Sequence, residues 1–91
     1  MLVCVQIDLT GADLPAFDAY EIKALGILSQ YGASVVERVR SCDTRSEFHL
    51  LEFPDRTAFD SFLADPVRAA MKDEWTASGA RSTVSEVTSI G

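Results

Sequence analysis

The stretch VCVQIDL, residues 3–9, decides the fold. Side chains alternate across a strand, so Val3, Val5, Ile7 and Leu9 share one face, while Leu2, Cys4, Gln6 and Asp8 share the other. One apolar face and one mixed face predict an antiparallel sheet covered on a single side. Downstream, Phe17, Tyr20, Ala24, Ile27, Leu28 and Tyr31 recur at helical spacing over residues 17–31. Asp13 is placed to cap that helix, Pro15 fits its first turn, and Gly32 fits the left-handed position that ends it. A second strand surrounds Val35 and Val36, a third covers residues 48–53, a second helical region covers 55–75, and a last alternating stretch covers 82–90. The order strand-helix-strand, strand-helix-strand predicts an α+β domain, a four-stranded antiparallel sheet with its helices on one face and the other face bare.

Finer punctuation fills in the connections. Residues 41–45 supply the turn between the central strands, and Pro54 stops the third strand because it has no N–H for the ladder. Asp55 caps the second helical region. Asp65-Pro66 breaks and restarts it, and Val67, Ala70, Met71 and Trp75 continue the apolar stripe. Residues 76–80, with Gly79, read as a loop. Gly26 costs about 1 kcal/mol against Ala in a helix interior, which predicts the close approach of another element there. Ile22 and Leu25 lie off the main stripe and predict a second surface on the first helix.

The 91 residues make one domain, small enough that covering the bare sheet face would add useful stability. That face carries Leu2, Cys4, Phe48 and Leu50, so the expected partner is a second copy of the chain, in a homodimer. Net charge is −6, and the only close basic group, Arg38, Arg40 and Arg45, is interleaved with Glu37, Asp43 and Glu47. Such a balance leaves nothing to neutralise phosphates, which excludes nucleic acid as a partner. The apolar opening stretch is too short to span a membrane, is interrupted by Gln6 and Asp8, and lacks a basic leader, so a cytoplasmic location is expected. Cys4 and Cys42 make no disulfide framework, and Cys4 reads as a small buried thiol. One His and two distant Cys cannot supply a structural zinc site, and no phosphate-binding glycine motif occurs. No metal or cofactor is therefore expected.

In the third strand His49, Leu51 and Phe53 share one face, and Phe48, Leu50 and Glu52 share the other. Turning the Phe53 set towards the helices places His49 near Tyr20 and Trp75, and leaves Glu52 on the bare face beside Asp8 and Gln6. An imidazole in that position can exchange protons near pH 7, or can simply be a strand residue satisfied by one hydrogen bond. His49 and Glu52 are three apart and point to opposite faces, so they cannot form a dyad. Asp8 and Glu52, with Gln6 and Arg38 as candidate neighbours, can act as a carboxylate pair with separated pKa values, or can form interface ion pairs with Arg38 or Arg40. Tyr20, Tyr31 and Trp75 can line a pocket for an aromatic ligand, or can be ordinary core.

Several features together resemble a known group. They are Tyr20 in the first helix, Tyr31-Gly32 leading into the second strand, Leu50-Leu51-Glu52-Phe53-Pro54 ending the third, and Phe62-Leu63-Ala64-Asp65-Pro66 before the last helical turns. The chain resembles the dimeric α+β-barrel superfamily of ferredoxin-like proteins, and within it a branch of small bacterial proteins. The resemblance implies two sheets packed face to face. It also implies a place among cofactor-independent monooxygenases, isomerases, polyketide cyclases and chlorite dismutase relatives. The antibiotic-biosynthesis monooxygenases of that group typically rely on an Asn, a Trp and a His, and this chain has no Asn, which speaks against that activity. A strand-centre His49 among short apolar neighbours also speaks against haem. The resemblance then points to a small cofactor-independent enzyme, of isomerase or cyclase type, acting by acid–base chemistry on a hydrophobic or aromatic metabolite. In that reading His49 transfers the proton, Tyr20 hydrogen-bonds to it and Trp75 walls the pocket. The competing reading is a non-catalytic dimeric binding module. A deep pocket with convergent polar groups favours the enzyme; a space filled by Phe17, Phe53, Phe59 and Phe62 favours the module.

Overall fold

The computed structural model describes residues 1–91. Its elements are β1 (Leu2–Asp8), α1 (Leu14–Gly26), a 3₁₀ turn (Leu28–Tyr31), β2 (Ser34–Arg40), β3 (Ser46–Glu52), α2 (Arg56–Leu63), α3 (Pro66–Ala70), α4 (Lys72–Ser78) and β4 (Arg81–Val87). The sheet runs β2-β3-β1-β4 with every neighbouring pair antiparallel. All helices lie on one side, and the smallest extent of the backbone is 17 Å, the depth of one sheet and one helical layer. The ferredoxin-like α+β arrangement expected from the sequence is the one the chain adopts.

Local chemistry fixes the element ends. Asp13 accepts from the Ala16 N–H at 3.1 Å, and Asp55 accepts from the Ala58 N–H at 2.8 Å, each satisfying a donor the helix cannot pair itself. The Asp65 carboxylate accepts from the Val67 and Arg68 N–H groups at 2.9 and 3.1 Å, which restarts the chain as α3 after the break at Pro66. Gly32 ends the 3₁₀ turn at φ +67°, and a Cβ there would stand 3.0 Å from Pro54 Cγ. Two expectations change. Gly26 is the last residue of α1, with open space where its Cβ would be, so it marks the tightening into the 3₁₀ turn and not a close approach. Residues 76–78 are helical, three residues into the expected loop, because Ser78 Oγ donates to the Trp75 carbonyl at 2.6 Å and Gly79, at φ +78°, closes α4.

The core gathers in three groups. Phe53 meets Phe59 edge-on at 5.1 Å and Phe62 at 5.5 Å, packed with Val3, Ile27, Leu28 and Leu51. Phe17 sits in a separate group with Ile7, Leu9 and Ala80. Tyr20, Ala24 and Met71 make the third. On the other side of the sheet Val39 and Phe48 are exposed, while Leu2, Cys4 and Leu50 are only half-buried. Cys4 is thus not a core thiol, and both cysteines are free. Ile22 is also exposed, whereas Leu25 turns inward. No helix is long and apolar enough to cross a membrane.

Candidate functional site

The period of two that defines β3 places Glu47, His49 and Leu51 together on the helix side. Pairing with β2 sets Arg38 opposite His49 and Arg40 opposite Glu47, so two guanidiniums flank a carboxylate that is 1% exposed. Arg38 Nε donates to Glu47 at 3.0 Å, and Arg40 Nε donates to its other oxygen at 2.7 Å. Asp18, on α1, accepts from Arg40 and closes the network from above. Burial alone would raise the Glu47 carboxyl, but the hydrogen bonds from His49, Arg40 and Arg38 outweigh it and hold the group below its usual range.

His49 lies 2.6 Å from Glu47, Nε2 to Oε2, and is 3% exposed. Burial pulls its imidazole below the usual value, against the opposing pull of Glu47, so the ring is neutral at pH 7. An ionised Glu47 can only accept, so Nε2 carries the proton and Nδ1 keeps its lone pair. Glu47 is the only hydrogen-bond partner of the His49 side chain, and no sealed side-chain nitrogen or oxygen lacks a partner. Nδ1 therefore opens on the space in front of it.

That space is a cavity of about 400 Å³ between sheet and helices, within the range of small-molecule sites. α1 packs chiefly on α4, and α2 chiefly on the 3₁₀ turn, which leaves the layer open over the sheet centre. Val5, His49 and Val84 form the floor, Tyr20 and Trp75 one wall, and Phe59 part of another. Small side chains, Ala24, Ala69 and Ser82, keep the volume from being filled.

Glu21 projects into the same cavity from α1, 5% exposed and without a hydrogen-bond partner in the protein. Glu47 and Asp18 hold Arg38 and Arg40, and neither Arg68 nor Lys72, on the same cavity, forms an ion pair with this third carboxylate. Burial pushes it up to about 7, with Arg38 opposing and Glu47 adding to the rise. The cavity thus holds a neutral imidazole with a free lone pair and a carboxyl that is substantially protonated at neutral pH. Neither Glu47 nor Glu21 stood among the residues singled out above, though both left a signal. Glu47 is two residues before His49, on the same strand face. Glu21 is an acid at i+4 from Phe17 and i−3 from Ala24, inside the apolar stripe.

The other residues singled out in the sequence divide. Tyr20 and Trp75 are neighbours on the cavity wall, ring centroids 5.1 Å apart, but Tyr20 makes no hydrogen bond to His49. Arg38 serves Glu47 and not the bare face. Tyr31 lies outside the cavity, donating to Asp65 and resting edge-on against Phe62. Asp8 and Glu52 share the bare face yet do not meet. Asp8 registers with Ser46 and Arg81 at one end of β1, and Glu52 with Leu2 and Ser34 at the other. Six residues of strand separate them by roughly 20 Å. Asp8 is instead held by the Thr10 N–H and by Arg81 at 2.9 Å each. No three His, Cys, Asp or Glu side chains converge as a metal site would require.

No protein-family profile matches the sequence, and no curated protein does. Solved structures do. SnoaB, a cofactor-independent oxygenase from Streptomyces nogalater, superposes with a TM-score of 0.79 at 17% identity, over 99% of this chain and 92% of that one. A NIPSNAP domain protein from Burkholderia xenovorans gives 0.67 at 19%, over 100% and 98%. A proposed antibiotic biosynthesis monooxygenase from Deinococcus radiodurans gives 0.61 at 11%, over 99% and 95%. The shared architecture is the ferredoxin-like α+β fold. At such identities the likeness is one of fold, and the ferredoxin-like chain has its own set of cavity residues to account for.

Proposed function

We propose that this ferredoxin-like protein is a small cofactor-independent enzyme that moves a proton on a hydrophobic or aromatic molecule, of isomerase or cyclase type, and that it works as a homodimer in the cytoplasm. The observation that carries the reading is the pairing of His49, oriented by a buried carboxylate, with the unpartnered Glu21 in one apolar cavity. His49 Nδ1 takes a proton from an acidified C–H beside a carbonyl, or from an O–H. Glu47, itself fixed by Arg38 and Arg40, holds the imidazole in the required tautomer and stabilises the imidazolium that forms. Glu21 returns a proton to a different atom of the same molecule. The net change is a proton shift; where the carbanion attacks a carbonyl of its own chain first, the product is a ring. Trp75 and Tyr20 supply a flat wall for an aromatic body. Two free thiols suit a reducing compartment.

Incubating 2-tetralone, an apolar ketone with acidic C–H bonds, in D₂O tests the central step. Mass spectrometry is expected to show deuterium uptake faster than buffer alone, and His49→Gln is expected to abolish the excess while keeping fold and assembly. Gln keeps much of the shape and a hydrogen-bonding group but cannot exchange a proton near pH 7. Equal uptake with both proteins would remove His49 from the mechanism. The likeness to SnoaB supports a second reading, in which the same carbanion is trapped by dioxygen. Oxygen uptake matching substrate loss would favour it over a proton shift.

A further inference from the structure

The charge pattern at the cavity mouth names the chemistry of the ligand more closely. The chain has eight cationic side chains, and five of them, Lys23, Arg38, Arg40, Arg56 and Arg81, hold a carboxylate within 4 Å. Of the remaining three, Arg45 lies in the β2–β3 connection, whereas Arg68 and Lys72 both line the cavity. They stand four residues apart, on α3 and at the start of α4. Arg68 is held in place rather than free. Its guanidinium lies 5.2 Å over the Phe62 ring, and Nη1 donates to the Leu63 carbonyl at 3.4 Å. Most of its five donors are left without a partner in the protein. In a chain of net charge −6, these two unpaired cations beside an apolar cavity are where an anion gains most. Deeper in, Glu21 and His49 Nδ1 lack partners and call for a neutral polar group, one able to donate or accept.

We propose that the cavity takes an amphipathic acid: an apolar or aromatic body whose carboxylate or phenolate sits at Arg68 and Lys72, and whose hydroxyl or keto group faces His49 and Glu21. This rests on the cavity being the reaction site, and it adds the requirement for a negative charge at the mouth. The charge fixes which end of the molecule enters first, and so which atom meets His49.

A matched pair of probes separates the two ideas. Naphthalene-2-carboxylate and naphthalene-2-methanol have nearly the same shape and differ in charge. The indole N–H resonance of Trp75, the only tryptophan and a cavity wall, reports their binding. At low ionic strength the carboxylate is expected to bind about tenfold more tightly than the alcohol, the sum of two partly screened ion pairs. The advantage is expected to vanish in Arg68→Gln/Lys72→Gln and to survive in Arg45→Gln, which lies outside the cavity lining. If both compounds bind equally well, or if the advantage persists in the double variant, the anion requirement is overturned and the cavity reading stands. If neither compound moves the Trp75 resonance while the protein remains folded, the cavity reading fails, and the anion requirement fails with it.

Discussion

Burial raises the Glu21 carboxyl to about 7, so that about half of it is protonated at neutral pH, and that has a measurable consequence for stability. In the unfolded chain the group titrates near 4.5, and in the folded protein near 7. Between those values the native state binds a proton that the unfolded chain has lost, so stability falls as pH rises through the window, by about 3 kcal/mol once above both. Glu21→Gln, which mimics the protonated form, is expected to match wild type at pH 5 and to exceed it at pH 8 by that order, as read from urea denaturation. A variant less stable than wild type at pH 8 would show that the carboxylate is paired. Activity should follow the opposite logic. His49 must be neutral and Glu21 protonated, so kcat/KM for a turned-over substrate is expected to fall on the acid side as the imidazole charges. On the alkaline side it should fall above about 7 as Glu21 ionises. Glu21→Gln should be slow and lack the alkaline limb. Neither acid was singled out from the sequence, although strand parity carried a signal for Glu47 and helical spacing one for Glu21. Their protonation states were not legible, because these depend on which cations two other elements bring to the same place.

Elements were readable where the signal is local. Asp13, Pro15, Gly32, Pro54 and Asp55 sit at element ends because capping and the missing proline donor act within a few residues. The faces of β1 and β3 were readable too, since parity is a property of one strand. Those of β2 and β4 were not, because each of their faces carries both Val and a charge or hydroxyl. Phe53 illustrates the gain: placed on the helix side, it is 1% exposed between Phe59 and Phe62. Phe53→Ala is expected to cost roughly 3–5 kcal/mol, the transfer loss plus the void left behind, and to lower the thermal midpoint by many degrees. An unchanged midpoint would mean that the site is not closely packed. Relations between elements were less readable. Asp8 and Glu52 share a face by parity, but how far apart they lie depends on the β1–β3 register, which alternation does not specify. Residues 76–78 carry loop-prone side chains and remain helical because the Ser78 hydroxyl and the left-handed Gly79 close the end. The cavity itself arises from which helices pack together, with Ala24, Ala69 and Ser82 too small to fill the opening, and no single segment encodes it.

At the scale of the molecule, the two faces of the sheet have separate tasks. The helix side holds the polar network and cavity, while the bare side presents Val39, Leu50 and Phe48 from β2 and β3 and Leu2 and Cys4 from β1. Phe48, at 41% exposure, and Val39, at 49%, are large apolar side chains on neighbouring strands in mutual register. In so small a domain, covering them against a second sheet about 10 Å away would recover apolar area that the fold itself leaves in water. We expect light scattering at micromolar concentration to give twice 9.9 kDa, and the thermal midpoint to rise with protein concentration, since dimer formation draws on the folded state alone. Phe48→Asp places a charge at the centre of that contact and should return the 9.9 kDa species. Because the cavity opens on the opposite side of the sheet, the monomeric variant should still bind naphthalene-2-carboxylate at Trp75. Wild-type protein that scatters as a single chain throughout this range would defeat the dimer and leave the chemistry of His49 and Glu21 untouched.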